Sequence, residues 1–256
     1  MCRLLLLLLA LVPLRAPAQS LRIAAAANLV HALPALNAAF AQEVPDVKIT
    51  VAFGASGSLV AQITHGAPYD LFLSADLDYP RALIASGHAV ASTLIPFAEG
   101  RLALWTTRSD IPLHNLEESL RHPVVRKIAV AHPGHAPYGR ATRQVLHKHG
   151  LWTAVTPRMV IGESISQAAQ FVSSGNADVG FVALSLILSA PAPTRGQWLE
   201  LNATDHDPIV QGAVLTRAGA ANPAAQRYLA FLQSPRARAV LEQAGYRGPT
   251  TPTLQP

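Results

Sequence analysis

Short apolar runs recur along this chain at 21–26, 47–53, 71–75, 102–106, 128–130, 159–161, 179–182 and 209–216. Most are bounded by Gly, Pro, Asn or Ser, and this pattern of brief β-prone runs between breakers predicts strands. Between most of them the apolar residues change to a helical spacing, over 29–40, 59–64, 81–86, 140–149, 166–173 and a closing stretch 224–244. Strand and helix therefore alternate, and the strands are apolar almost throughout rather than at every second position. That combination predicts α/β architecture, with mostly parallel sheets covered by helices on both faces. No period of 20–50 residues repeats, which argues against a solenoid or a propeller.

Two segments interrupt the alternation without a long flexible linker. In 95–101, Pro96 and Gly100 bracket an extended stretch, and 204–212 is polar and carries Pro208. Read as two crossings between lobes, they predict a first lobe of 19–100 plus 208–256 and a second of 101–207. A cleft with two hinge strands between such lobes suits a protein that closes on a ligand.

The first residues bear on compartment. Met1-Cys2-Arg3 is a short cationic start, 4–12 is apolar, and Ala16-Pro17-Ala18 has the small-x-small form of a signal-peptidase site, so 1–18 is expected to be a cleaved export signal. The apolar block falls well short of the roughly 20 residues that a membrane span requires. Cys2 is the single cysteine, and it lies ahead of the apolar block rather than after it. A lipid-anchored cysteine is therefore not expected, and the mature chain should carry neither thiol nor disulfide. The expected product is an exported protein with no direct membrane insertion.

The whole chain has 20 Lys and Arg against 15 Asp and Glu. Loss of Arg3 and Arg15 with the signal would leave a mild basic excess, scattered and without interleaved aromatics. This excludes a dedicated nucleic-acid surface but still favours small anions.

Candidate chemistry concentrates where strands give way to helices. In 53–59, Phe-Gly-Ala-Ser-Gly-Ser-Leu, a small-residue loop leaves an apolar strand and opens a helix. The first turn of a helix has backbone N–H groups without acceptors, and glycine lets that backbone approach a ligand. No Lys or Arg lies between Phe53 and Leu73, which excludes phosphate-loop chemistry with its Gly-Lys-Ser/Thr ending. Similar starts are expected at Asn28, read as an N-cap, at Pro137-Tyr138-Gly139, and at Gly162-Glu163-Ser164, where Ser164 and Gln167 have capping-box spacing. That makes two starts per lobe, at the carboxyl ends of parallel strands, where open α/β sheets bind ligands.

Six blocks in order carry a resemblance: 25–29 (Ala-Ala-Ala-Asn-Leu), 53–59, 62–76 with Gly-Ala-Pro-Tyr-Asp at its centre, 137–141 (Pro-Tyr-Gly-Arg-Ala), 162–167 and 175–183. The chain resembles the periplasmic molybdate-binding proteins of ABC importers over nearly all its mature length. The resemblance implies the two-lobed periplasmic-binding-protein fold and a soluble, monomeric protein of the periplasm. Such a protein would bind molybdate, and tungstate with it, and deliver the ligand to an inner-membrane ABC permease without a cofactor. Carried over by position, the oxyanion site implies Asn28 and Ser56 from the first lobe and Tyr138 and Ile165 from the second. Ile165 would act through its backbone N–H, and Ala27, Ser58 and Ser164 would add or orient donors. One branch of the family has tyrosine where this chain has Ala183, serine where it has Asn28, and alanine where it has Tyr138. The chain therefore resembles the other branch, in which Asn28 and Tyr138 supply the missing donors.

Other readings are weaker on specific residues. A site built only of donors suits a proton-free tetrahedral dianion. Sulfate meets that description as well as molybdate does, so a sulfate-binding protein is the alternative. Phosphate keeps a proton near neutrality and would favour a buried carboxylate; Glu163 is the available candidate, and it is read as a helix-terminus residue. Asp70 and Asp76 are expected to cap loops. An exported hydrolase is disfavoured because Ser58 stands where a nucleophile elbow needs glycine. Of the ten histidines, the pairs His132/His135 and His147/His149 lack metal-site geometry and are expected at the surface.

Overall fold

The computed structural model of this protein describes residues 19–249; the expected export signal lies outside them. Among the described residues ten strands form two five-stranded sheets. The first contains β1 (Gln19–Ala26), β2 (Val47–Gly54), β3 (Leu71–Ser74), β4 (Ile95–Gly100) and β10 (Ile209–Leu215), in the order β2-β1-β3-β10-β4. The second contains β5 (Leu102–Thr106), β6 (Ile128–Ala131), β7 (Met159–Gly162), β8 (Val179–Ala183) and β9 (Gln197–Glu200), in the order β7-β6-β8-β5-β9. In each sheet three strands pair in parallel and one runs against them: β10 in the first, β5 in the second. This is the mostly parallel, two-lobed α/β arrangement that the alternation predicted.

Among the described residues the sheets are flanked by the α-helices α1 (Leu33–Glu43), α2 (Ser56–Thr64), α3 (Asp78–Ala85), α4 (Leu116–Arg121), α5 (Pro137–Lys148), α6 (Trp152–Val155), α7 (Ile165–Ser173), α8 (Leu184–Leu188), α9 (Pro223–Phe231) and α10 (Pro235–Gln243). Neighbouring residues in a strand point to opposite faces, and the first sheet shows why its central strands are apolar over most of their length, whereas the edge strand β2 alternates with exposed Lys48 and Thr50. Leu21, Ile23 and Ala25 of β1, with Leu71 and Leu73 of β3, join the core shared with α1, α9 and α10. Ala24 and Phe72, the alternate residues, face the core shared with α2 and α3. Both faces are buried, so a polar residue at either would lose its water.

The chain passes between the sheets twice. At Arg101 a single residue separates β4 from β5, and residues 201–208 lead from β9 back to β10. An ion cluster stands at these crossings: Glu200 accepts from Arg101 and, at 2.8 Å, from Arg247.

Three details depart from the sequence reading. β9 was not among the predicted runs, and β4 was read only as the extended crossing at 95–101, because Gln-Trp-Leu-Glu and Ile-Pro-Phe-Ala-Glu-Gly have neither a continuous apolar character nor a clean alternation. The closing stretch is two helices rather than one. Pro235 cannot supply an interior N–H, so it opens α10, where the Ser234 hydroxyl caps the N–H of Ala237 at 3.1 Å. Asn28 is no N-cap: it lies inside a single 3-10 turn over Ala27–Leu29, and α1 starts only at Leu33, with Pro34 in its first turn.

Candidate functional site

The strand ends that the sequence singled out converge. Ala27, Asn28, Ser56, Tyr138 and Ile165 line one small cavity, together with glycine, alanine and proline from the same loops. The cavity is small and lies where these loops meet. No charged side chain lines it.

Each main residue stands at the start of a helical turn. Ser56 is the first residue of α2, Ile165 the first of α7, Tyr138 the second of α5, and Asn28 the second of the 3-10 turn. At these positions an N–H has no acceptor within its own helix, and all four residues are at least 96 % buried. The local sequences explain the geometry. Ala55 is extended before α2 and Ala136 before α5, while Pro137, which has no N–H to lose, occupies the first position of α5.

The side chains divide by role. The Ser56 hydroxyl accepts the Ala75 N–H at 3.0 Å, which leaves its own proton free to donate. Asn28 donates from Nδ2 to Gln211 Oε1 and to the Tyr246 hydroxyl, each at 2.8 Å. Its carbonyl oxygen accepts from Tyr246 at 2.9 Å and from Ser185 of α8 at 3.1 Å. The Tyr138 phenol is buried against Gly100: a Cβ added there would lie 2.1 Å from the hydroxyl. Burial pushes this phenol well above the ordinary tyrosine range, and Tyr246 nearby adds to the effect.

Ser58 and Ser164 do not line the cavity. Ser164 is the N-cap of α7, accepting the Gln167 N–H at 3.3 Å, while Gln167 accepts the Glu163 N–H at 2.6 Å. This is the reciprocal cap expected from their spacing. The Glu163 carboxylate is largely exposed and lies 3.3 Å from His135 Nε2, so it is not a buried acceptor. Asp70 accepts the Arg22 N–H at 2.7 Å, and Asp76 accepts the Tyr79 N–H at 3.1 Å; both serve loops, as expected.

His132 and His135 differ from the expectation of surface residues. They are half-buried, with rings stacked 4.1 Å apart, because their loop is held against the first lobe. Gly57 donates its N–H to the His135 carbonyl at 3.0 Å, and the Tyr79 hydroxyl reaches the Gly134 carbonyl at 3.3 Å. Beside them Arg140 of α5 pairs with Asp76 and stacks over the Tyr79 ring at 5.2 Å. Sequence reasoning missed these interlobe contacts and the Gln211, Tyr246 and Ser185 partners of Asn28. No local motif marks them, since each pair is brought together from far apart in the chain.

The Ser56 hydroxyl has no imidazole or carboxylate partner among the described residues, which leaves it without the activating base that a nucleophile needs. Two lobes joined by two crossings, meeting around a small pocket lined by uncharged residues, have the form of a protein that encloses a ligand between them. The chain belongs to the bacterial extracellular solute-binding protein family, whose sequence profile matches residues 21–247. It is 38 % identical over 226 residues to the molybdate-binding protein ModA of Rhodobacter capsulatus, covering 87 % of this chain and 86 % of that one. To ModA of Azotobacter vinelandii it is 36 % identical over 231 residues, covering 90 % and 91 %. The solved structure of the Azotobacter vinelandii periplasmic molybdate-binding protein superposes with a TM-score of 0.84 over 90 % of this chain and all of that one, at 35 % identity.

Proposed function

We propose that this protein captures molybdate, and tungstate with it, between its lobes in the periplasm and delivers it to an inner-membrane ABC permease. The observation that carries this reading is the pocket lining: uncharged, contributed by both lobes, and formed in part by residues at helical starts, with the Ser56 and Tyr138 hydroxyl protons uncommitted among the described residues. Molybdate at neutral pH is a tetrahedral dianion without a proton, so every oxygen accepts and none donates. Backbone N–H groups at helix starts stabilise such a charge without a countercharge. Asn28, Ser56, Tyr138 and Ile165 provide the N–H donors and Ser56 a hydroxyl as well; Ala27 shapes the wall, and Ser164 orients Ile165 through its cap. Ser58 is outside this set.

The protein acts as a monomer, without catalysis or cofactor, and its function is closure. Residues 19–100 with 208–249 form one lobe and 101–207 the other, and only the closed form offers all donors at once. The names of the relatives that match along most of the chain support molybdate as the ligand. Among the described residues no helix is long and apolar enough to cross a membrane.

Titration calorimetry of the mature protein against molybdate, tungstate, sulfate and phosphate in separate runs tests the reading. One-to-one binding of molybdate and tungstate alone is expected. Equal or stronger sulfate binding would move the function to sulfur uptake, and no heat with any of the four would overturn the pocket's assignment.

A further inference from the structure

A buried polar cluster adjoins the pocket, and its hydrogen bonds have only one consistent direction. Gln211 of β10 is fully buried where the pairing with β4 shifts register. Its Nε2 lies 3.1 Å from the Ile209 carbonyl and 3.4 Å from that of Ala75. Both partners are acceptors, so the amide nitrogen faces them and Oε1 must accept from Asn28. The Tyr246 hydroxyl donates its one proton to the Asn28 carbonyl and can meet the Asn28 side chain only as an acceptor. Two independent constraints thus orient the same amide: both protons of Asn28 Nδ2 are committed, and Oδ1 is turned away from Gln211 and Tyr246.

That leaves two buried atoms in this region without partners among the described residues. Asn28 Oδ1 is an acceptor and the Tyr138 hydroxyl is able to donate. One comes from the first lobe and the other from the second, and both residues line the same pocket. The Tyr138 hydroxyl reaches the cluster itself, because the Cβ position of Gly100 lies 2.1 Å from it and 3.1 Å from Gln211 Nε2. Buried polar atoms that stay unpaired are costly, so a complementary pair in one place is under strong pressure to meet.

We propose that the Tyr138 hydroxyl is the donor for Asn28 Oδ1, directly or through one ordered water, in a bond between lobes that forms as they close on the oxyanion. Gln211 and Tyr246 are then positioning residues, which hold Asn28 so that its acceptor faces the incoming phenol. Tyr138 thereby serves twice: its N–H meets the anion, and its hydroxyl reports closure to the crossing at Gly100. This rests on the reading of the pocket as an oxyanion site.

The test is a double-mutant cycle on molybdate affinity, with Tyr138→Phe, Asn28→Ala and the double variant beside the wild type, each checked for an intact apo melting transition. Tyr138→Phe should weaken binding about 3- to 10-fold, the value of one hydrogen bond, but less than about 2-fold in the Asn28→Ala background. Gln211→Met, as a further variant, should likewise reduce the effect of Tyr138→Phe. Wild-type affinity in Tyr138→Phe, or the same loss in both backgrounds, overturns the coupling while leaving the pocket assignment intact. A wild-type protein that binds none of the oxyanions overturns both.

Discussion

Replacing Ser56 by alanine separates the energetics of the pocket from those of the fold. The hydroxyl accepts the Ala75 N–H at 3.0 Å and is 99 % buried, while its proton is free for the ligand. Removing it deletes one donor to a bound anion, and hydrogen bonds to charged groups contribute about 1.5–3 kcal/mol. Molybdate affinity should therefore fall roughly 10- to 150-fold. The same change strands the Ala75 N–H, at a cost of about 1–3 kcal/mol to the ligand-free protein. For a chain of this size that lowers Tm by roughly 2–4 °C per kcal/mol. Calorimetric titration gives the first quantity and apo thermal unfolding the second. A Ser56→Ala protein with wild-type molybdate affinity would refute the placement of this hydroxyl on the anion, whatever its melting temperature.

Three further outcomes follow from contacts between the lobes and from one carboxylate. Gly57→Ala places a methyl 2.7 Å from His135 Cβ and 2.6 Å from the Tyr79 hydroxyl; overpacking of this kind costs about 1–3 kcal/mol, so molybdate-induced compaction in small-angle scattering should be reduced while the apo melting temperature holds or rises. Arg140→Ala removes the interlobe pair with Asp76, whose side chains keep 30 % and 11 % of their exposure; at about 1 kcal/mol or less, stopped-flow ligand release should quicken up to about 5-fold, and the difference should shrink in high salt. Burial pushes the Asp178 carboxyl upward, but the N–H groups of Lys127 and Arg126 and the Arg108 guanidinium outweigh it and hold the carboxyl below the ordinary range. Its stabilisation is therefore present above the unfolded value of about 3.9 and is lost as pH falls through the folded one. Asp178→Asn should be less stable than wild type by denaturant unfolding at pH 7, with the gap closing as the pH drops below about 4.

Much of the molecule was legible one element at a time. The eight predicted runs all became strands; most are apolar enough to be buried on both faces, a property of composition that needs no partner to be known, while the edge strands β2 and β7 keep residues in solvent. The breaks at Gly54, Pro137 and Gly162 announced helix starts for the same local reason. The reciprocal cap of Ser164 and Gln167 is a contact three residues apart, within reach of sequence alone. β9 escaped and β4 was visible only as an extended crossing, since their place in a sheet is decided by the neighbours β5 and β10 and not by their own pattern. Asn28 shows the boundary most clearly. Its residue type suggested a cap, but tertiary contacts with Gln211 and Tyr246, 183 and 218 residues away, outcompeted that local use.

The amino-acid order by itself therefore determined the α/β alternation, the small-residue helix starts and the absence of Lys or Arg between Phe53 and Leu73, because these depend on short-range sterics and on which residue types can leave water. Only the tertiary structure decided that the starts share one pocket, that Arg140 meets Asp76 across the cleft, and that the Asn28 amide has one orientation. Those outcomes depend on packing distant segments together, where a partner's direction and burial, rather than its place in the sequence, set which hydrogen bonds survive.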